Sequence, residues 1–257
     1  MSEDLLIVDS LTVAAAGKNI VNAASLEVPA LSVTALVGGS GSGKTTLGLA
    51  ILRLLPLGLT VRQGRILFAG EDVLKLSDER MRLLRGKEIG MVFQEPLYAF
   101  NPVFSIGDQI EEVLRAHSAL NARQRRERIG DLLNLVGLPD PQRTAGNYPH
   151  QLSGGMRQRA MIAQAIAAGP KLIIADEPTS NLDVTLQAKI MELFRKLKDE
   201  LKLSVLLITH DLGMVAHMAD HVAVMTEGNI VERGTTREVL EKPRHPYTRT
   251  LMETIEV

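Results

Sequence analysis

The sequence predicts an α/β fold, and two patterns lead to this prediction. Short runs rich in aliphatic residues alternate with helical patterns along most of the 257 residues. Several of these runs are almost wholly apolar, as strands are when helices cover both faces of a sheet. The predicted strands are Leu5–Val8, Val33–Val37, Arg65–Phe68, Ile89–Phe93, Leu172–Ala175, Val205–Thr209 and Val222–Thr226.

The helical part of the pattern is clearest after Asp183, where five apolar residues recur at helical spacing. They are Ile190, Leu193, Phe194, Leu197 and Leu201. Residues 96–150 contain two further helical stretches, Ile106–His117 and Asn121–Val136, and no convincing strand. We therefore expect a helical lobe inserted into the α/β core, and we interpret the basic run at residues 123–128 as a solvated helix face.

Composition and charge limit the class of protein. Lys and Arg total 29 and Asp and Glu total 30, so the formal net charge of −1 gives no general attraction to a nucleic acid. The absence of cysteine excludes disulfides, thiolate metal sites and cysteine nucleophiles. The polar start at residues 1–4 is unlike a signal peptide, and no apolar run approaches the ~18 residues of a membrane span. We expect a cytosolic globular protein.

A phosphate-binding motif follows the predicted strand Val33–Val37. The segment fits Gly-x-x-x-x-Gly-Lys-[Ser/Thr], the P-loop, in which backbone N–H groups and a helix N-terminus surround a polyphosphate. Lys44 would reach the β- and γ-phosphates, and the Thr45 hydroxyl would ligate Mg²⁺. The nucleotide-binding residues predicted here are Gly38, Gly39, Ser40, Gly41, Ser42, Gly43, Lys44, Thr45 and Thr46.

Two carboxylates end the predicted strand Leu172–Ala175. Asp176 is expected near the metal, and Glu177 is expected to orient the attacking water as a general base. A P-loop with this acidic pair fits a kinase, a GTPase or many ATPases, so these motifs leave all three classes open.

Residues 152–159, Leu-Ser-Gly-Gly-Met-Arg-Gln-Arg, resemble the signature sequence of ATP-binding cassette (ABC) proteins. Three more segments resemble that family's motifs in the family's order. Gln94 resembles the Q-loop glutamine, residues 180–183 the D-loop, and His210 the switch histidine. A P-loop kinase would leave the signature unexplained. The chain is thus identified from its sequence as similar to ABC ATPases over roughly residues 5 to 250.

The resemblance implies a P-loop NTPase core with an N-terminal β-subdomain and an inserted α-helical subdomain, all within one ABC ATPase domain, residues 1–257. Residues 1–95 and 160–235 would form the core and the β-subdomain. Residues 96–159 would form the helical subdomain with the signature, and residues 236–257 a short C-terminal element.

The resemblance also implies roles for single residues in a Mg²⁺-dependent ATPase that works as a head-to-tail dimer. Each ATP would lie between one P-loop and the partner's signature. Glu177 would act as the base, His210 would stabilise the γ-phosphate, and Asp183 would lie at the dimer seam. The residues implied to complete the nucleotide site are Gln94, Ser153, Gly154, Gly155 and Asp183, and those implied to hold Mg²⁺ are Thr45, Gln94 and Asp176.

Two segments resemble the dipeptide, oligopeptide and nickel importers within the family. Residues 95–102 resemble their Asp-Pro-x-x-Ser-Leu-Asn-Pro run, and residues 244–251 their terminal His-Pro-Tyr-Thr element. This implies an importer ATPase, peripheral at the cytoplasmic face of the cell (inner) membrane. Its partners would be two transmembrane permease subunits, a substrate-binding protein and a second ABC ATPase subunit, in a homodimer or heterodimer.

The alternative is a soluble ABC ATPase of chromosome maintenance or a ribosome-associated factor. The first class interrupts the cassette with long coiled coils and the second joins two cassettes, and neither pattern is present in this sequence. We therefore expect no nucleic-acid partner.

The sequence departs from the importer pattern at several positions. Gly39 stands where these importers usually have Glu, and Asn181 where the D-loop often has Ala; both are more typical of the nickel branch. Residues 1–67 contain no aromatic side chain to stack on adenine, which predicts weak base selectivity. His217 and His221 have helical spacing, but we expect His221 to start a strand, so we do not expect the pair to bind nickel.

Overall fold

The structure, a computed structural model, describes residues 4–253 and confirms the α/β prediction. Residues 1–3, part of the polar start used above, and residues 254–257 lie outside the described residues. The strands are β1 Asp4–Ala15, β2 Lys18–Pro29, β3 Val33–Val37, β4 Leu59–Phe68, β5 Glu71–Asp72, β6 Ile89–Val92, β7 Leu172–Asp176, β8 Ser204–Thr209, β9 His221–Thr226 and β10 Asn229–Thr235.

The helices include the predicted stretches at residues 106–117 and 121–136 and the periodic segment after Asp183. They are α1 Lys44–Ile51, α2 Asp78–Lys87, α3 Pro96–Ala99, α4 Ile106–His117, α5 Ala122–Leu135, α6 Pro141–Gly146, α7 Gly154–Ile166, α8 Val184–Leu201, α9 Leu212–Met218, α10 Thr236–Glu241 and α11 Pro246–Glu253. Asn121 caps α5 and Thr235 caps α10, each in a reciprocal capping box with the side chain three residues later.

The chain divides into two compact units. The first contains the residues up to Met81 together with those from Lys202 onwards. It holds an antiparallel sheet in the order β2-β1-β4-β5. It also holds the strand order β10-β9-β3-β8, in which β3 pairs in parallel with both β8 and β9. All five residues of β3 are buried, so the loop that follows starts from a rigid strand.

The second unit, Arg82–Leu201, is mostly helical. Its strands β6 and β7 pair in parallel, and helices α3 to α8 form the rest. The predicted helical segment of residues 96–150 falls inside this unit, and no strand occurs in it. Apolar residues at the predicted spacing bury one face of α8, while its charged face stays exposed, as expected.

The second unit contains a half-buried histidine, His117. His117 ends α4 beside Gly86, and its Nδ1 has no hydrogen-bond partner among the described residues. Burial lowers the pKa of His117, and the positive charges of Lys87 and Arg82 lower it further.

Candidate functional site

The glycine-rich loop at residues 38–43 joins β3 to α1 in the first unit and has the shape of a phosphate cradle. Gly38 has a φ of 156°, and a Cβ there would lie 2.0 Å from the Met225 carbonyl oxygen. Gly43 has a φ of 104°, and its Cβ would lie 2.8 Å from the Ile20 carbonyl oxygen. Since no side chain fits at either position, only glycine permits this path of the backbone.

The start of α1 has no side-chain cap and no acidic side chain in its first turn, an arrangement that attracts anions to a helix N-terminus. Ser42 in the loop is buried, and its Oγ has no partner among residues 4–253. A buried hydroxyl without a protein partner fits a loop whose partner is a ligand. Thr45, the predicted metal ligand, lies exposed in the first turn of α1.

Lys44 is buried, and its Nζ donates to the carbonyl oxygens of Gly38 at 2.8 Å and of Gly39 at 2.9 Å. The ammonium group is therefore held inside the loop by backbone acceptors. A phosphate oxygen is a charged acceptor and forms a stronger bond with an ammonium group than a neutral carbonyl does. The predicted role of Lys44 is compatible with this position.

The switch residue His210 lies in the same unit, exposed, directly after β8. The next residue, Asp211, accepts the Met214 N–H at 3.0 Å and caps α9. His210 thus stands at a fixed strand-to-helix turn.

In the second unit, Asp176 ends the wholly buried strand β7 and Glu177 follows it. Glu177 is 8% exposed and has a φ of +46°, so the chain turns sharply there, as predicted for a strand end. A non-glycine residue in the left-handed region is strained, and such strain occurs often at functional positions.

The signature residues begin α7. Ser153 is its N-cap and accepts the Met156 N–H at 3.3 Å. Ser153 and Gly154 are exposed, whereas Gly155 is buried against Leu186. The exposed serine and glycine therefore present a hydroxyl and a helix N-terminus outward, which suits an anion.

The D-loop and the Q-loop are hydrogen-bonded to each other within the second unit. The Ser180 hydroxyl donates to the Gln94 carbonyl oxygen at 3.2 Å. The Asn181 side-chain amide donates to the Glu95 carboxylate at 2.7 Å. Asp183 is exposed and caps α8 through the Leu186 N–H at 2.9 Å. The sequence motifs did not predict either link between the two loops.

Several large apolar side chains are exposed in the segment around and after Gln94, which we call the apolar surface after Gln94. Its large side chains are Phe93, Leu97, Tyr98, Val103 and Phe104, of which Tyr98 is 85% exposed. The buried Gln109 holds the backbone at Asn101 and Phe104, because its side chain accepts the Asn101 N–H at 2.9 Å and donates to the carbonyl oxygens of Asn101 and Phe104. The segment that carries Val103 and Phe104 is thus held in place.

The histidine pair considered for nickel does not share a helix. Helix α9 ends at Met218, and His221 begins β9, which confirms the prediction. Among the described residues, no group of three or more His, Cys, Asp or Glu side chains could hold a metal ion. Within residues 4–253, no helix combines the length and the apolar character needed to cross a membrane.

Known proteins are similar to this chain in both sequence and structure. The family model described as ABC transporter matches residues 21–180. The oligopeptide transport ATP-binding protein OppD of Bacillus subtilis is 51% identical over 215 residues, which are 83% of this chain and 60% of that protein. A putative peptide import ATP-binding protein of Brucella ovis is 48% identical over 241 residues, 91% of this chain and 71% of that protein.

A solved dimeric structure of the ATP-binding cassette MJ0796, in a post-hydrolysis state bound to ADP and Pi, has a TM-score of 0.80. It is 27% identical and covers 90% of this chain and 99% of its own. The chain belongs to the ABC transporter family, and the predicted P-loop NTPase fold is confirmed. It spans about 60% of the length of OppD and about 71% of the Brucella relative.

Proposed function

We propose that this chain is the Mg²⁺-dependent ATP-hydrolysing subunit of an importer. The observation that carries the proposal is the loop of residues 38–43, in which Gly38 and Gly43 accept no side chain and after which α1 begins without an acidic residue. Membership of the ABC transporter family supports ATP as the polyphosphate.

Each predicted site residue would have its own role in binding or hydrolysing ATP. The loop amides and Lys44 would bind the ATP phosphates, and Thr45, Asp176 and Gln94 would hold Mg²⁺. Bound Mg²⁺ would neutralise charge on the β- and γ-phosphates. Glu177 would accept a proton from the attacking water, and His210 would donate a hydrogen bond to the γ-phosphate.

The exposed signature suggests a second copy or a related ATPase as partner. The P-loop of a chain would surround the phosphates of that chain's own nucleotide. A second anion site, exposed at Ser153 and Gly154, would therefore complete the nucleotide site of another chain. The solved MJ0796 cassette, of the same fold, is dimeric. In the proposed dimer, Asp183 lies at the seam and ATP joins the two subunits until it is hydrolysed.

The apolar surface after Gln94 suggests how hydrolysis acts on a membrane protein. Exposed aromatic and aliphatic side chains at one place are typical of a protein interface. We place a cytoplasmic helix of a permease subunit there, in the helical subdomain at residues 96–159. Residues 1–95 and 160–235 would form the core and the β-subdomain, and residues 236–257 the C-terminal element. Two permeases and a substrate-binding protein would complete a complex at the cytoplasmic face of the inner membrane.

Peptides are the proposed cargo, because the relatives named above are oligopeptide and peptide import proteins. Gly39 and Asn181 favour nickel as the second candidate. The cargo would be selected by the binding protein and not by the ATPase.

The test uses a tagged Glu177→Gln variant. General-base removal should lower ATP hydrolysis about 100-fold or more while ATP binding persists. After loading with ATP and Mg²⁺ in native membranes, mild solubilisation should recover two membrane subunits. A second ATPase chain would establish a heterodimer, its absence a homodimer, and a bound receptor would identify the cargo.

The matched control is Glu177→Gln combined with Lys44→Ala, which should no longer retain ATP or an ATP-dependent partner. Recovery of only soluble proteins or ribosomes would contradict the transporter proposal and favour the soluble ATPase.

A further inference from the structure

The geometry points to Tyr247 as a positioning residue for the phosphate-binding loop, which links the C-terminal helix α11 to nucleotide affinity. This inference rests on the proposed function, because it assumes that residues 38–46 bind ATP. Tyr247 lies 208 residues from the loop in sequence, and no sequence motif assigns it a role there.

The contact is a hydrogen bond in which the Gly39 N–H donates to the Tyr247 hydroxyl oxygen at 2.9 Å. A Cβ at Gly39 would lie 3.2 Å from the same oxygen, closer than nearly all side chains tolerate. Glycine at this position, where related importers usually have glutamate, therefore leaves room for the hydroxyl group.

Gly39 also contacts Lys44, the residue proposed to bind the ATP phosphates. Its carbonyl oxygen accepts a hydrogen bond from Lys44 Nζ at 2.9 Å. When Lys44 turns to a phosphate, this carbonyl loses the ammonium group, while the bond to Tyr247 stays. Tyr247 therefore keeps the loop in its open form during the exchange and lowers the conformational cost of binding.

Tyr247 can do this because it is fixed itself. Its ring packs on a buried apolar cluster that includes Val37, the last residue of β3. Its own N–H donates to His245 Nδ1 at 3.2 Å. The Glu232 carboxylate on β10 accepts the backbone N–H groups of Arg244 and His245 at 2.8 and 3.0 Å. The start of α11 is thus tied to the sheet from which the loop emerges.

The experiment measures ATP binding and hydrolysis in Tyr247→Phe, which removes the acceptor and keeps the ring. We expect the Kd and the KM for ATP to rise roughly three- to tenfold, the size of one neutral hydrogen bond, with kcat unchanged. Thr250→Val, which removes an exposed hydroxyl from the same helix, should change neither value.

A second pair of variants separates positioning from general damage. Gly39→Ala should weaken ATP binding in the wild-type background because the new methyl group meets the Tyr247 hydroxyl. The same change should cost much less in Tyr247→Phe, where that oxygen is gone. Additive losses, or an unchanged Kd in Tyr247→Phe, would overturn the inference.

Lys44→Ala distinguishes this failure from that of the proposed function. If Lys44→Ala still binds ATP like the wild type, the loop is not the nucleotide site and both proposals are overturned. If Lys44→Ala loses binding and Tyr247→Phe does not, only the role of Tyr247 is refuted.

Discussion

Gly90 in β6 is a position outside the phosphate-binding loop where one added methyl group should destabilise the fold. Its Cβ would lie 2.3 Å from the Ala165 carbonyl oxygen and 2.7 Å from the Ile173 side chain. The oxygen belongs to the backbone of α7 and cannot rotate away, so β6 and α7 must separate by about 1 Å to regain ordinary contact. Overpacking of this kind costs 1–3 kcal/mol, and the rigid partner places Gly90→Ala at about 2–3 kcal/mol.

The matched control is Gly130→Ala in α5, where an added Cβ meets nothing within 4 Å. Alanine should stabilise this helix by about 0.5–1 kcal/mol. Thermal unfolding should show Gly90→Ala melting roughly 4–12 °C below the wild type and Gly130→Ala roughly 1–4 °C above it. Equal melting temperatures for the two variants would refute the reasoning, because both make the same chemical change.

Three further predictions concern the hydrogen bond between Asn181 and Glu95, the pKa of His117 and the choice of nucleotide base. In a double-mutant cycle of Asn181→Ala and Glu95→Asp, urea unfolding should give a coupling energy of about 0.5–1 kcal/mol. The value is small because a charge-assisted hydrogen bond between exposed side chains keeps only part of its strength in water. Additive effects of the two substitutions would contradict this prediction. The folded state lowers the pKa of His117, so the unfolded chain binds a proton more readily, and stability should fall as the pH drops below about 6.5. His117→Asn should reduce that fall when unfolding is measured across this pH range. With no aromatic residue ahead of the phosphate loop, ATP and GTP should support comparable turnover in a steady-state phosphate-release assay, and a strong preference for ATP would contradict this.

The sequence predicted the buried strands well because their apolar runs depend on local composition. Strand β3 matches its predicted bounds, and helix α4 does too. Strand β2 was not predicted, because its Asn, Ala and Ser residues have low β propensity and Ala23 interrupts it with a φ of +45°. Strand β10 was also not predicted, because it is a largely polar edge strand held by pairing with β9.

In the candidate site too, local sequence predicts some features and not others. Motif spacing predicts roles for Lys44 and Glu177, since the motifs that contain them are short runs of residues adjacent in sequence. The contacts of Gly39 with Tyr247 and of Asn181 with Glu95 join positions 208 and 86 residues apart. Only the folded chain brings such pairs together, so no local pattern could predict them.

Because Glu177 has a left-handed backbone, the residue that would be most stable at this position is not the one that the proposed hydrolysis needs. A glutamate there costs on the order of 1–3 kcal/mol that glycine would not, and valine or isoleucine would cost more. A search for more stable variants should therefore favour glycine at this residue. Under the role proposed for Glu177, that substitution would also remove hydrolysis, so the more stable chain would be the less active one.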